Sequence, residues 1–356
     1  MLILGIETSC DDTSVAVVNA SDDGIQVLSN IVSSQIDTHT PYGGVVPILA
    51  AREHEKNLPA VLDSALKASG CNLEAIDLIA VTSGPGLIMS LVKGVNFAKE
   101  LAQKSGKPLI GINHMEGHIA SCWLPTTENS KHEYRNPKPE FPVLCLTVSG
   151  GHTELVLMKE HCQYELIGRT VDDASGEAFD KIARLIGLEY PGGPAISREA
   201  EKFKPQDLSS KITLPRPMLH SKDFNFSFSG LKTAVYYLVR DLKKSGELTH
   251  DQVTQIAHEA QDAIVDVLIA KTKKAIELYQ PQSVLLAGGV SANKLLRNKL
   301  QLTCDLLHVN CHLPHMQYTT DNAAMIACAA YFRTKNEQRM TNNDSVEADA
   351  NWEIAY

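Results

Sequence analysis

The feature that most constrains this chain is an internal repeat. LGIETSCDDTSVAVV (residues 4–18) and LCLTVSGGHTELVLM (residues 144–158) align without a gap: an apolar strand, a turn at Ser9 or Ser149, then an alternating strand opened by Thr13 or Thr153. Each half later carries a strand that runs into a glycine turn and a helix, DLIAVTSGPGLIMSLVKGVNFAKELA in the first and SVLLAGGVSANKLLRNKL in the second. Strands first and strand-turn-helix units afterwards predict a duplicated α/β fold, with two domains that each hold a mixed sheet flanked by helices. A chain of 356 residues with 44% apolar content has the length and the core material for two domains. The expected bounds are 1–127 and 138–333, joined by the Pro-, Asn- and charge-rich stretch PTTENSKHEYRNPKPEFP and followed by a tail, 334–356, with little apolar periodicity. Such a duplication predicts a cleft between the halves with the glycine turns facing it.

Charge and cysteine usage narrow the function. A net charge of -9 excludes coating of nucleic acid by bulk charge, so an RNA partner must meet a local basic patch or another subunit. The eight cysteines never form CxxC, which disfavours a disulfide framework or a cysteine zinc knuckle and fits a reducing compartment. The opening MLILGIETS lacks a leader pattern and no run reaches the roughly 18 apolar residues of a membrane span, so a cytoplasmic protein without membrane contact is expected.

Four glycine turns stand out: SGPG at 83–86, TVSGGHTE at 147–154, YPGGP at 190–194 and AGGVSAN at 287–293. Residues without Cβ let backbone N–H groups converge on an anion, and several such turns in a duplicated protein point to a nucleotide or other phosphorylated ligand. Neither GxxxxGK[ST] nor GxGxxG occurs, which disfavours P-loop and Rossmann chemistry. By the internal alignment Asp11 and Asp12 lie opposite the Ser-Gly-Gly turn, and Asp180 follows a helix start at Asp173 or Ser175; for each, a capping or turn role competes. In SKDFNFSFSGLKTAVYYLVRDL, Phe224, Phe226 and Phe228 alternate as core residues before a helix from Leu231. Lys232 in the first turn of that helix opposes the helix dipole, a placement that an anionic ligand would offset.

NHMEGHIAS (residues 113–121) follows the strand PLIGI and places His114 and His118 one helical turn apart, the spacing that chelates a transition metal. Asn113 is a natural N-cap and Glu116 is placed to close a capping box. Glu116 sits two positions after the first histidine, on the far side of the helix, so the motif is not the HExxH of a zinc protease. The best candidate for a third ligand is Asp321 in HMQYTTDNAAMIACAAYF, with a helix N-cap as its competing role; His39, His54 and His315 are further candidates. Two histidines and an aspartate with open positions suit iron or zinc that also holds a substrate.

Taken together, GIETSCDDTSVAVV, YGGVVP, AREH, SGPGL, GINHMEGHI, TVSGGHTE, DDASGEAFDK, YPGGPAI, FSFSGLKTAV, GGVSANKLLR and YTTDNAAMIA resemble, in order and over nearly the whole chain, the tRNA adenosine N6-threonylcarbamoyltransferases of the TsaD type. The resemblance implies the actin-like ATPase fold shared with heat-shock chaperones and sugar kinases. It implies transfer of the threonylcarbamoyl group from threonylcarbamoyl-adenylate to N6 of the adenosine 3′ of the anticodon in tRNAs reading codons that begin with A. It implies one divalent iron, or zinc, on His114, His118 and Asp321, and adenylate or ATP binding by Thr147, Val148, Ser149, Gly150, Gly151, Asp180, Gly193 and Asn293. The implied partners are tRNA, a smaller paralogue of the same fold (TsaB type) and a P-loop ATPase (TsaE type).

Two departures stand against the pattern: some relatives carry an acidic residue where this chain has Ser197, and ILAAREH replaces the commoner ELASREH. The substrate is a mixed anhydride with AMP as its leaving group, so no side-chain nucleophile is required and positioning dominates. Asp11 is the candidate for accepting or orienting the amine proton. The rival readings are another carbamoyltransferase or a small-molecule kinase of the same fold, and a non-catalytic scaffold.

Overall fold

A computed structural model of the chain describes residues 1–125, 138–204, 212–337 and 345–354. Most of the expected linker, 126–137, lies outside the described residues. In chain order the strands are β1 (Leu2–Glu7), β2 (Asp12–Ser21), β3 (Gly24–Ser34), β4 (Leu78–Gly84), β5 (Leu109–Asn113), β6 (Val143–Val148), β7 (Thr153–Glu160), β8 (Gln163–Arg169), β9 (Ser283–Ala287) and β10 (Asn310–His312). The helices are α1 (Ile36–His39), α2 (Pro47–Ser69), α3 (Ile88–Ser105), α4 (His114–Ala120), α5 (Ser175–Leu185), α6 (Gly192–Ala200), α7 (Ser229–Leu242), α8 (His250–Tyr279), α9 (Lys294–Leu306) and α10 (Ala323–Glu337).

The duplication read from the sequence is realised strand for strand. One sheet has the order β3-β2-β1-β4-β5 and the other β10-β9-β6-β7-β8, the same order with each strand replaced by its repeat counterpart. β1 pairs antiparallel with β2 and parallel with β4, β4 pairs parallel with β5, and β6 pairs parallel with β9. Both sheets are therefore mixed, as the alternation of a hairpin with strand-turn-helix units requires.

The chain divides into two compact units: Met1–Phe141 with Met158–Glu165 and His312–Tyr356, and Pro142–Leu157 with Leu166–Cys311. This differs from the expected bounds, since Met158–Glu165 and the residues from His312 to 333, expected in the second domain, fall in the first unit. The residues that follow β10, α10 included, pack on the first sheet instead of completing the second domain. The reason is the surface of the first sheet, which is apolar on both faces and so needs a layer on each. On one face Leu4, Ile6, Val15, Val17, Ile79 and Val81 pack against α2 and α3 through Leu58, Val61, Val95 and Ala98. On the other, Ile3, Ala16, Val18, Ala80 and Ile112 pack against the run Ala323–Ala330 of α10. The alternation Ile3 out to one face and Leu4 to the other follows the two-residue period of a strand.

Contact on the α10 face is close. A Cβ on Gly5 would lie 2.2 Å from the carbonyl oxygen of Ala323, and one on Gly117 would lie 2.7 Å from Cδ1 of Ile326. Glycine at these two positions lets β1 and α4 approach α10 nearly backbone to side chain.

The expected tail is also revised, since α10 runs to Glu337 and residues 345–354 return to the first unit. There Val346 and Ile354 are buried, the Asp349 amide donates to Ser83 O at 2.7 Å, and Asn113 Nδ2 donates to Trp352 O at 3.0 Å. This segment also accounts for SGPG. A Cβ on Gly84 would meet Asp349 O at 1.8 Å and one on Gly86 would meet Ser9 O at 2.6 Å, so the first-half glycine turn is filled by the chain's own backbone.

Candidate metal centre

The residue pattern at the end of β5 builds the first part of the site. Asn113 ends the strand and its Oδ1 accepts the amides of Met115 and Glu116, which starts α4 on the next residue and points His114 and His118 the same way. Glu116 is buried, and its two oxygens receive Tyr164 Oη–H at 2.8 Å and Arg333 Nε–H at 2.7 Å. The carboxylate that the spacing assigned to a capping box thus clamps the histidine helix to β8 and to α10. Burial and the neighbouring Glu116 carboxylate together hold the Tyr164 hydroxyl well above its usual pKa, so it remains a donor.

Asp321 comes from the turn before α10, inside the same compact unit as the histidines. Its competing role as an N-cap is filled by others: Asn322 Oδ1 accepts the Met325 amide, Ser14 Oγ accepts that of Ala323, and Asn30 Oδ1 accepts that of Ala324. Asp321 Oδ1 lies 3.5 Å from His114 Nε2 and 3.2 Å from His118 Nε2, and one ligand atom from each of the three residues lies within 4.8 Å of the others. Donors sharing a cation at ~2.1 Å are separated by about 3.0–3.5 Å, so the two carboxylate contacts match a common ion.

The donors also fit chemically. His114 Nδ1 is 3.1 Å from both Glu7 Oε2 and Ser9 Oγ; burial works against its charge, but Asp321 and Glu7 outweigh it and push the ring up to about 9, so a cation at Nε2 would take the place of a proton there while the Glu7 carboxylate keeps the one on Nδ1. His118 is fully buried, and its ring nitrogens have no hydrogen-bond partner beyond the 3.2 Å approach of Nε2 to the Asp321 carboxylate. A buried imidazole nitrogen without a partner costs about 1–3 kcal/mol, and a cation removes that cost. His118 is shifted toward the neutral form by burial and by neighbouring His114, which is the form that ligates.

Around this triad lies a shell of carboxylates. Glu7, fully buried at the end of β1, also accepts the Ser9 amide and the Thr82 hydroxyl, each at 2.5 Å. Asp11 is raised by burial and by Asp321, and Asp12, with a buried Oδ1 lacking any hydrogen bond, is pushed up to about 7 by the same two causes. A cation at the triad offsets this repulsion. The other histidines serve the fold: His54 bridges Thr13 and Cys10 O, His39 pairs with Gln35, and His315 accepts the Gln317 amide. Glu7 was missed in the sequence reading, although a carboxylate closing the apolar run LILGI is a signal that could have found it.

The second unit carries the remaining glycine turns. Ser149 and His152 close a tight turn with the Ser149 amide on His152 O at 2.8 Å and the His152 amide on Ser149 Oγ at 3.0 Å, leaving Gly150 and Gly151 at its tip. Thr147 and Val148 are buried strand residues that lead into it. Three glycines serve close packing: a Cβ on Gly176 would meet Ser149 O at 2.6 Å, one on Gly192 the Cα of Asp180 at 2.5 Å, and one on Gly288 Val148 O at 2.4 Å. These contacts draw the turn at 149–152, the start of α5, the start of α6 and the turn after β9 together. Gly150, Gly151, Gly193 and Gly289 are different, because nothing lies within 4 Å of a Cβ at any of them. Their backbones face open space.

Asp180 Oδ1 accepts the Gly192 amide at 2.7 Å and holds the α6 turn. Asn293 caps α9 through Leu296 and donates to Ser197 Oγ at 3.0 Å and Gln261 Oε1 at 2.8 Å. Gln261, which the sequence did not single out, thus joins Ser197 and Asn293 in one polar cluster. For Lys232, the anion proposed as a ligand is supplied by the chain, since its Nζ lies 3.8 Å from Asp173 Oδ2.

Comparison with known proteins agrees with this geometry. The family model described as TsaD, tRNA N6-adenosine threonylcarbamoyltransferase, matches residues 26–328. The tRNA N6-adenosine threonylcarbamoyltransferase of Thermosipho africanus is 46% identical over 354 residues, covering 99% of this chain and 100% of that protein. The protein of the same name from Thermomicrobium roseum is 49% identical and covers 93% of this chain and 92% of its own length. Among solved structures, HypF of T. kodakarensis has a TM-score of 0.54 at 15% identity over 93% of this chain and 47% of that one, a likeness of fold. The strand order repeated in the two sheets is that of the duplicated actin-like ATPase fold. With the family model spanning most of its length and relatives near half identical from end to end, the chain belongs to the tRNA N6-adenosine threonylcarbamoyltransferase family.

Proposed function

We propose that this chain transfers the threonylcarbamoyl group from threonylcarbamoyl-adenylate to N6 of the adenosine 3′ of the anticodon in tRNAs reading codons that begin with A, in the cytoplasm and with a divalent metal. Beyond family membership, the observation that carries the metal-assisted reading is the convergence of the buried His114 and His118 with Asp321, one ligand atom of each within 4.8 Å of the others. Those three residues would hold the ion, Fe2+ in the first instance with Zn2+ as the alternative. Bound there, the ion supplies a Lewis acid for the carbamoyl oxygen.

The chain's own residues do the rest. The open backbones of Gly150, Gly151 and Gly193, set between Thr147, Val148, Ser149, Asp180 and Asn293, cradle the adenylate phosphate and nucleoside. The adenosine amine attacks the carbamoyl carbon, the bond to the phosphate oxygen breaks, AMP leaves with that electron pair, and the amine proton passes to Asp11. Burial and Asp321 raise its pKa, which makes the carboxylate a stronger base for that proton. The acceptor is tRNA, and a smaller paralogue of the same fold and a P-loop ATPase complete the working assembly. Tested alone, the chain should turn over far more slowly than with these partners.

The test is mass spectrometry of tRNA nucleosides after incubation with the adenylate and the partners. Native protein should yield N6-threonylcarbamoyladenosine, and a His114→Ala, His118→Ala variant should yield about a hundredth as much or less. No product from the native assembly overturns the transfer reading; undiminished product from the variant overturns the metal's part in it.

A further inference from the structure

A tRNA-modifying chain with a net charge of -9 has to meet a polyanion somewhere, and among the described residues one helix face has the composition for it. The segment from Ser229 through Ser245, α7 and the turn after it, carries Lys232, Arg240, Lys243 and Lys244 against the single carboxylate Asp241. Interleaved with these cations are Tyr236 and Tyr237, 50% and 49% exposed. The buried side of the same helix is Leu231, Val235 and Val239, so the tyrosines are not needed for its packing. Their rings meet at 65° with centroids 5.5 Å apart, and the Arg240 guanidinium lies 4.8 Å from the Tyr237 ring centre. Exposed aromatic faces beside guanidinium and ammonium groups are what single-stranded or splayed nucleic acid stacks on and pairs with.

The face also starts in the right place. Asp172 receives the Ser227 hydroxyl and the amides of Phe228 and Ser229, which fixes the beginning of α7 beside the beginning of α5. The α5 start in turn donates the Gly176 amide to Ser149 O at 3.1 Å, on the glycine turn assigned to the adenylate. From Tyr236 to Lys244 the face runs about 12 Å along the helix, enough for two or three phosphates of one strand.

We propose that the outer face of α7, formed by Tyr236, Tyr237, Arg240, Lys243 and Lys244, is the surface with which this chain grips tRNA, a reading that rests on the transfer function above. The cations hold phosphates and the tyrosines hold unstacked bases. Ion pairs of Arg240 and Lys244 with Asp241, at 3.0 and 2.8 Å, and of Lys243 with Glu247 at 3.5 Å, are solvent-exposed and exchange for phosphates at little cost.

The test measures binding of labelled tRNA to the full chain with its partners over a range of salt, together with steady-state transfer. Two variants are compared with the native chain: Arg240→Gln, Lys243→Gln, Lys244→Gln, and Tyr236→Ser, Tyr237→Ser. The first should make the slope of log affinity against log salt shallower by about 2–3 and raise the KM for tRNA, with kcat and the KM for the adenylate unchanged. The second should weaken tRNA binding roughly fivefold to a hundredfold with the slope kept. A native slope and native tRNA KM in both variants overturn the surface while the transfer reading stands. Loss of an acidic protein partner with tRNA binding intact overturns it in favour of protein docking. A native assembly that neither binds tRNA nor forms product overturns both readings.

Discussion

At the scale of single residues, the two candidate sites use burial in opposite ways. In the metal centre, carboxylates and imidazoles are pressed together out of water, so each is defined by its neighbours: Glu7 orients His114, Asn322 relieves Asp321 of capping, and burial together with Asp321 raises Asp11. Replacing Asp11 with Ala should lower kcat about a hundredfold or more while the adenylate Kd stays within twofold; turnover at the native rate would remove it from the reaction. In the second unit the useful property is empty space next to backbone. Gly151→Ala has room for its methyl group and should change stability by less than ~0.5 kcal/mol while weakening AMP binding about tenfold. Gly288→Ala, with a φ of +86° and Val148 O in the way, should cost about 2 kcal/mol or more. Calorimetric titration of AMP beside urea unfolding separates the two outcomes, and equal effects of both variants on both readings would remove the distinction.

At the scale of elements, the centre depends on how closely α10 lies on β1 and α4. Gly5→Ala places a methyl group against the Ala323 carbonyl, so α10 must move and carry Asp321 away from the histidines. It should cost about 3 kcal/mol in urea unfolding and lower metal occupancy after purification, read by elemental analysis. The far end of the same helix is held by an aromatic cluster in which His161 stacks on Phe332 at 3.8 Å beside Trp123 and Phe141. Burial, and secondarily Lys335, push His161 down to about 4, against about 6.5 in an unfolded chain. The folded state therefore binds fewer protons, and the stability this ring contributes is complete above about pH 6.5 and is lost as pH falls toward 4. Allowing for its partial exposure, the loss is about 1–2 kcal/mol. His161→Phe keeps the stack and should flatten that part of the pH profile of urea midpoints; a profile parallel to the native one would count against the assignment.

At the scale of the whole molecule, the chain's C-terminal segment belongs to the unit its N-terminus begins. A chain ending at Cys311 would lack α10, Asp321 and Val346, and the first sheet would expose Ile3, Ala16 and Ile112. Such a truncation should lose the cooperative unfolding of the first unit and be cut rapidly by protease within 1–125; native-like resistance there would contradict the packing described. The duplication, the two mixed sheets, the histidine pair and the glycine turns were all legible in the sequence. Each is a local pattern, a two-residue or four-residue period or a residue without Cβ, and local geometry repeats wherever the pattern does. What the linear order could not contain was the destination of segments that close long loops. Whether Asp321 caps α10 or faces the histidines depends on Asn322, Ser14 and Asn30 meeting there, the last two some three hundred residues away in sequence. Whether SGPG is open or filled depends likewise on Asp349. Only the folded chain decides these points, because a buried polar group is satisfied by whichever partner packing brings within reach.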